Sequence, residues 1–173
     1  FPSFALTMNT GFSGESYALS IAAGLLQPEH TVLKLHFPML RDVEARSRKR
    51  QEAAAQIAAY LEVGRNIAFL TEGDPMLHST FSYVLEHLPA GYRVEVVPGV
   101  MSITAAAADV VQPLAKADER LAVLPMTFEN IAALKPILAS FDTVVLMKVH
   151  NVLDEVVDLL DELGIVRQAV VVE

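Results

Sequence analysis

Apolar residues recur along this chain with two spacings, one typical of helices and the other typical of strands. Between residues 43 and 61, Ala54, Ile57 and Leu61 lie three or four positions apart, which places them on one face of a helix. Between residues 31 and 37, apolar and polar residues alternate, as in a strand with one buried face. The chain therefore contains both kinds of element, and their order decides the fold class.

Helices and strands alternate in the predicted order of elements. We expect helices over residues 14–26, 43–61, 79–88, 102–111, 130–140 and 152–163, and strands over residues 31–37, 66–71, 92–97, 120–125, 142–149 and 169–172. The segment FPSFALTMNTG, residues 1–11, is assigned to no element. This alternation is typical of an α/β fold with mostly parallel sheets.

A change of composition divides the predicted fold into two α/β domains. The polar stretch QPLAKADER, which begins at Gln112, follows an alanine-rich helix. We place the domains at residues 1–98 and 99–173, with the junction between Pro98 and Gln112. A cleft between two such domains is a natural ligand site.

Composition and charge exclude several classes of site. The 173 residues carry a formal net charge of -8, which argues against nucleic acid as the main ligand, because phosphate binding needs clustered Lys and Arg. The sequence has no cysteine, so disulfides and thiolate metal sites are excluded, and a reducing, cytoplasmic location is expected. No apolar run approaches the ~20 residues of a membrane-spanning helix. The histidines are not paired at metal-ligand spacing, so no metal site is expected.

An acidic turn, TEGDP at residues 71–75, follows one predicted strand. Ligands of open α/β sheets bind at the carboxyl ends of strands. Gly73 would let the backbone approach a ligand closely, and Asp74 could accept a hydrogen bond from a hydroxyl or ammonium group. Two carboxylates would repel a phosphate. Taken alone, the turn favours the ordinary interpretation, in which Asp74 caps the next helix.

Two further turns have the same setting at a strand end. The segment VVPGVMSITAAAA, residues 96–108, has small side chains that could pack closely on a ligand or on a sheet. Lys148 follows the strand over residues 142–149, where it could contact a ligand, although a lone lysine is more often a surface residue. Each turn by itself therefore leaves a structural interpretation open.

Taken in order, the three stretches resemble the tetrapyrrole methylase family, whose members are class III methyltransferases that use S-adenosylmethionine. LTEGDPMLHST resembles the family's strand-end Gly-Asp-Pro motif, and VEVVPGVMSITAAAA resembles its second motif. LKLHFPMLRD, STFSYVLEHL, DERLAVLP and FDTVVLMKV resemble the members that methylate C(20) of precorrin-2. The likeness extends from Gly14 onward.

The resemblance implies a fold, a reaction and a set of residues. It implies two α/β domains with a cofactor cleft between them, a homodimer, and methyl transfer from S-adenosylmethionine to C(20) of precorrin-2 or cobalt-precorrin-2 in cobalamin biosynthesis. His78 is a candidate for the base that removes the ring proton, and Arg41 for a contact with the substrate carboxylates. The cofactor-binding residues that it implies are Thr71, Glu72, Gly73, Asp74, Leu77, Met101, Ser102, Lys148 and Val149.

Departures from the family pattern keep other functions open. The family's first strand, its Gly-rich loop and its last strands are expected to be missing from this chain, and His78 stands where the family usually has Tyr. One alternative is a tetrapyrrole methylase that acts at another ring carbon. Another is a non-catalytic fragment that binds S-adenosylmethionine or a tetrapyrrole, and a third is a generic doubly wound domain with structural turns.

Overall fold

The structure, a computed structural model, describes residues 5–9, 16–38, 42–126 and 131–172. The chain divides into two compact units, of which the first ends at Met101 and the second begins at Ser102. Each unit contains a parallel sheet and helices, so the prediction of an α/β fold with parallel sheets is confirmed.

The first unit contains a three-stranded parallel sheet with the strand order β2-β1-β3. Its elements are β1 Ala5–Asn9, α1 Tyr17–Ala22, β2 Thr31–Leu35, α2 Val43–Glu62, β3 Ile67–Phe69 and α3 Phe81–His87. The central strand, β1, pairs with both neighbours and lies in a segment that the sequence pattern assigned to no element. The two ladders with β2 and β3 identify these five residues as a strand.

The long helix α2 supplies most of the first core. Asp42 caps its start, because Asp42 Oδ1 accepts hydrogen bonds from the backbone N–H groups of Glu44 and Ala45 at 2.9 and 3.1 Å. Further along, the buried face of α2 packs with strand and helix side chains in a cluster of Leu35, Ala53, Ile57 and Val84. This core fixes β3 and α3, which flank the acidic turn.

The second unit contains a two-stranded parallel sheet, β4 with β5. Its elements are α4 Ser102–Asp109, β4 Leu121–Pro125, α5 Leu134–Leu138, β5 Thr143–Met147 and α6 Leu153–Glu162. Its core cluster consists of Met126, Leu134, Val156 and Leu159. The predicted elements of this unit are thus confirmed as far as residue 163, with shorter bounds.

Two predicted strands are absent from the described residues. Residues 92–97 and 169–172 have no ladder partner there, and their valines are exposed, with Val97 at 82% and Val171 at 60%. Both segments have strand-like composition, but a strand also needs a neighbour with free N–H and C=O groups. The prediction of strands at these positions is wrong for this structure.

Candidate functional site

The acidic turn begins where β3 ends and is closed by the side chain of Asp74. Asp74 Oδ1 accepts a hydrogen bond from the backbone N–H of Met76 at 2.8 Å, and Gly73 has a positive φ of 67° that favours glycine. Helix α3 begins only at Phe81, whose N–H donates to Ser79 Oγ at 3.2 Å. The ordinary interpretation of Asp74 as a cap of the next helix is therefore wrong, since the N-cap position is Thr80 and the first N–H of the helix donates to Ser79.

A second hydrogen bond of Asp74 joins this turn to the Pro98-Gly99 turn. The backbone N–H of Gly99 donates to Asp74 Oδ2 at 3.0 Å, across 25 positions of sequence. The two turns that the sequence analysis identified separately thus lie against each other within the first unit. We refer to residues 71–79 and 98–101 together as the paired turns.

The paired turns meet backbone to backbone at two glycines. A Cβ atom added to Gly99 would overlap the carbonyl oxygen of Gly73 and would lie 2.9 Å from its carbon. A Cβ atom at Gly73 would lie 3.7 Å from the carbonyl oxygen of Val100. Because real Cβ atoms do not approach a carbonyl group as closely as this one would approach Gly73, only glycine fits at position 99.

Two hydroxyl groups hold the far end of the acidic turn. Thr71 Oγ1 and Ser79 Oγ lie 3.1 Å apart and share a hydrogen bond, and Ser79 is 9% exposed. The backbone N–H of Leu77 donates to the carbonyl oxygen of Asp74 at 3.4 Å. Thr71, which the sequence analysis expected at the cofactor, therefore closes the loop. The sequence pattern did not identify Ser79 as a residue that closes the turn. A serine two residues before the start of a helix is the signal that could have indicated it.

The other predicted residues of this region differ in exposure. Glu72 is exposed and places a carboxylate at the tip of the acidic turn, whereas Leu77 and Met101 are half-buried. His78 is exposed and has a positive φ of 51°, a conformation that is uncommon outside glycine. Ser102 is exposed at the first residue of α4.

The third predicted turn lies in the second unit, directly after β5. Lys148 is exposed and has a positive φ of 61°, and it precedes a short 3-10 helix, Val149–Asn151. Val149 packs against the core cluster of that unit. Residues held in this unusual conformation often cluster at ligand sites, which supports a role for Lys148. Arg41, the candidate for substrate contact, lies outside the described residues.

The paired turns fit a cationic, amino-acid-bearing ligand better than an anion. The exposed backbone at residues 72 and 73 has no bulky side chain at Gly73 or Gly99 to cover it, and the adjacent Glu72 carboxylate is negatively charged. In the described ranges, no group of three His, Cys, Asp or Glu side chains could hold a metal ion. None of the helices described there is long and apolar enough to span a bilayer.

A comparison with protein families shows which family this chain belongs to. The model of the family of tetrapyrrole (corrin/porphyrin) methylases matches residues 11–173. The chain belongs to this family. The match includes both paired turns and the turn at Lys148, so the resemblance found in the sequence is confirmed.

Individual tetrapyrrole methylases are also similar to this chain. The cobalt-precorrin-2 C(20)-methyltransferase of Salmonella typhimurium is 36% identical over 156 residues, which cover 90% of this chain and 65% of the relative. The precorrin-2 C(20)-methyltransferase of Sinorhizobium sp is 32% identical over 171 residues, which cover 94% of this chain and 69% of the relative. The chain thus spans about two thirds of the length of these two relatives.

A solved structure of a methyltransferase has a similar fold. The crystal structure of the methyltransferase CobJ matches with a TM-score of 0.58 at 15% identity, over 93% of this chain and 75% of that chain. At this identity the match shows the fold alone.

Proposed function

We propose that this chain is an S-adenosylmethionine-dependent methyltransferase that acts on C(20) of precorrin-2 or cobalt-precorrin-2 in cobalamin biosynthesis. The observation that carries the proposal is the family match over residues 11–173, together with relatives named for this reaction at 32% and 36% identity. The geometry of the paired turns supports it, because an exposed backbone beside a carboxylate suits a ligand with an ammonium and a sulfonium group.

The proposed cofactor contacts follow the family motifs. In the first unit, the backbone of Glu72, Gly73 and Asp74, with Leu77 and Met101, forms the proposed binding wall. Their support is the hydrogen bond between the two turns, which brings these residues together. The further proposed contacts, supported by the resemblance, are Thr71, Ser102, Lys148 and Val149.

The proposed reaction requires the protein mainly to position the two reactants. The cofactor, when bound, supplies an electrophilic methyl group, and the meso carbon of the reduced macrocycle is itself nucleophilic. The side chains of this chain therefore need to hold the two reactants in line and to exclude water. A base must also accept the ring proton, and the exposed imidazole of His78 is the candidate.

We further propose a cytoplasmic homodimer. Tyr17, Ile21 and Leu25 recur at helical spacing in and just after α1, and all three are more than 70% exposed, at 73%, 76% and 77%. An apolar stripe of this kind supports an interface between copies of the chain. Light scattering behind a sizing column would measure the mass of the particle, and a monomer at micromolar concentration would contradict the dimer.

Two measurements test the proposed activity. Calorimetry should detect binding of S-adenosylhomocysteine, and incubation with precorrin-2 and methyl-labelled S-adenosylmethionine should give a product whose label is found at C(20) by NMR. A label at another ring carbon would show a different methylase. Binding of the cofactor product without any turnover would show a binding module, and the absence of both would leave only a structural domain.

A further inference from the structure

We propose that Asp74 is a positioning residue, whose carboxylate fixes the second turn against the first and so sets the shape of the cofactor wall. This inference rests on the proposed function for the identity of the ligand. It differs from the assignment of Asp74 as a cofactor ligand, because the two carboxylate oxygens already have partners in the protein.

The Asp74 carboxylate accepts one hydrogen bond from each of the two turns. Oδ1 accepts from the N–H of Met76 at 2.8 Å, and Oδ2 accepts from the N–H of Gly99 at 3.0 Å. Hydrogen bonds from backbone N–H groups to a carboxylate are stronger than neutral ones. One side chain thus closes its own turn and holds a segment 25 residues away.

Within the part of the chain that the structure describes, the Gly99 segment has few other hydrogen bonds. Residues 92–100 form no ladder, and within the described chain they make no backbone-to-backbone hydrogen bond. Val97 and Val100, on either side of the Pro98-Gly99 turn, are 82% and 75% exposed. Within the described residues, the bond to Asp74 and the contact with Gly73 are therefore the main contacts seen to hold this turn.

The backbones of Gly99 and Gly73 pack too closely for either turn to move toward the other. The Gly99 Cα lies so close to the Gly73 carbonyl that a methyl group cannot be placed between them. The backbone of residues 72 and 73 and the backbone of Val100 and Met101 are therefore held as one surface. Loss of the Asp74 carboxylate would release one side of this surface without removing any residue that touches the ligand.

Asp74→Asn tests the proposal with a side chain of the same shape. Its amide group has one acceptor oxygen, so it can keep only one of the two bonds. Where the bond to Gly99 is the one lost, exchange of the Gly99 amide hydrogen, followed by NMR in the ligand-free protein, should become at least about tenfold faster, and affinity for S-adenosylhomocysteine should fall by about tenfold. Asp118→Asn, which changes an exposed carboxylate of the second unit, should alter neither quantity.

A double-variant cycle separates positioning from direct binding. Gly99→Ala displaces the same turn from its other side, so Asp74→Asn and Gly99→Ala together should lose little more affinity than the more damaging single variant. If the fold losses of affinity multiply in the double variant, Asp74 and Gly99 act independently, and this result would overturn the proposal. Asp74→Ser is measured beside Asp74→Asn, and alone if Asp74→Asn does not fold, because a serine hydroxyl can accept from Met76 but is too short to reach Gly99, so this variant must lose the Gly99 bond.

The outcomes distinguish this inference from the proposed function. An unchanged exchange rate of the Gly99 amide in both Asp74→Asn and Asp74→Ser would overturn the role of Asp74, whether or not the ligand binds. Faster exchange with unchanged affinity would also overturn it. Wild-type protein that binds no S-adenosylhomocysteine would instead overturn the proposed function, while the exchange measurement would still decide whether Asp74 holds the turn.

Discussion

At the scale of single residues, left-handed backbone conformation at ordinary side chains is the most unusual feature of the chain. Among the described residues, His78, Val111, Ala117 and Lys148 have positive φ without being glycine. His78 and Lys148 lie in the segments that carry the candidate site, where such strain is often found. Val111 differs, because it lies just after the end of α4, is 87% exposed and is outside the candidate site.

Val111→Gly should raise the free energy of unfolding by about 1–2 kcal/mol. A β-branched side chain is disfavoured at a φ of 55°, and the backbone N–H groups of residues 111 and 112 close the end of α4 in this conformation. Urea unfolding would measure the gain. Val110→Gly is the matched control, since Val110 has no positive φ, and it should destabilise by about 0.5–1 kcal/mol. A loss of stability at both positions would contradict the explanation.

At the scale of elements, the two strands of the second unit are joined at their start by one carboxylate. Asp142 Oδ2 accepts hydrogen bonds from the backbone N–H of Arg120 at 2.8 Å and from Arg120 Nε at 3.4 Å. The Arg120 backbone N–H, followed by the Arg120 guanidinium, lowers the pKa of Asp142 below its ordinary value of 3.8. The bond aligns β4 with β5, which places Lys148 at the far end of the sheet.

Asp142→Asn should make the stability of the protein less sensitive to acid. A carboxylate whose folded pKa is lowered stabilises the fold above its unfolded pKa, and this contribution is lost as the pH falls through the folded pKa. The variant should therefore be less stable than wild type at neutral pH, and the two unfolding curves should converge below about pH 4. Asp118→Asn serves as the control, and a constant gap at all pH values would argue against the Asp142 pKa as the cause.

At the scale of the whole molecule, each unit has a core of its own. Leu35 and Ile57 belong to the cluster of the first unit, and Leu134 and Leu159 belong to that of the second. The two clusters share no residue. Each unit therefore has the buried apolar side chains that its own sheet and helices need, and each can respond separately to a change in its core.

Leu134→Ala should destabilise the second unit by about 2–5 kcal/mol, because Leu134 is 2% exposed and its loss leaves a cavity. Hydrogen exchange followed by mass spectrometry should show weaker protection in β4, β5 and α6, with β1 to β3 little changed. Val157→Ala removes a 39% exposed side chain of the same unit and should have a small effect. Equal loss of protection in both units would show that they unfold together.

The sequence by itself determined the elements whose signals are local. The period of α2, the strand-like runs of β4 and β5 and the Gly-Asp-Pro motif can be read without any partner, because they depend on neighbouring residues. The ordered motifs also identified the family. Arg41 and the role of Lys148 remain predictions on the same basis.

Tertiary structure decided what depends on distant partners. The five residues of β1 became the central strand because two neighbours pair with them, while residues 92–97, with better strand composition, have no such neighbour in the part of the chain that the structure describes. Asp74 and Gly99 are 25 positions apart, so their bond has no sequence period. The motif therefore predicts that the turn has a function, but only the packing of the two backbone segments shows which atoms hold the turn in place.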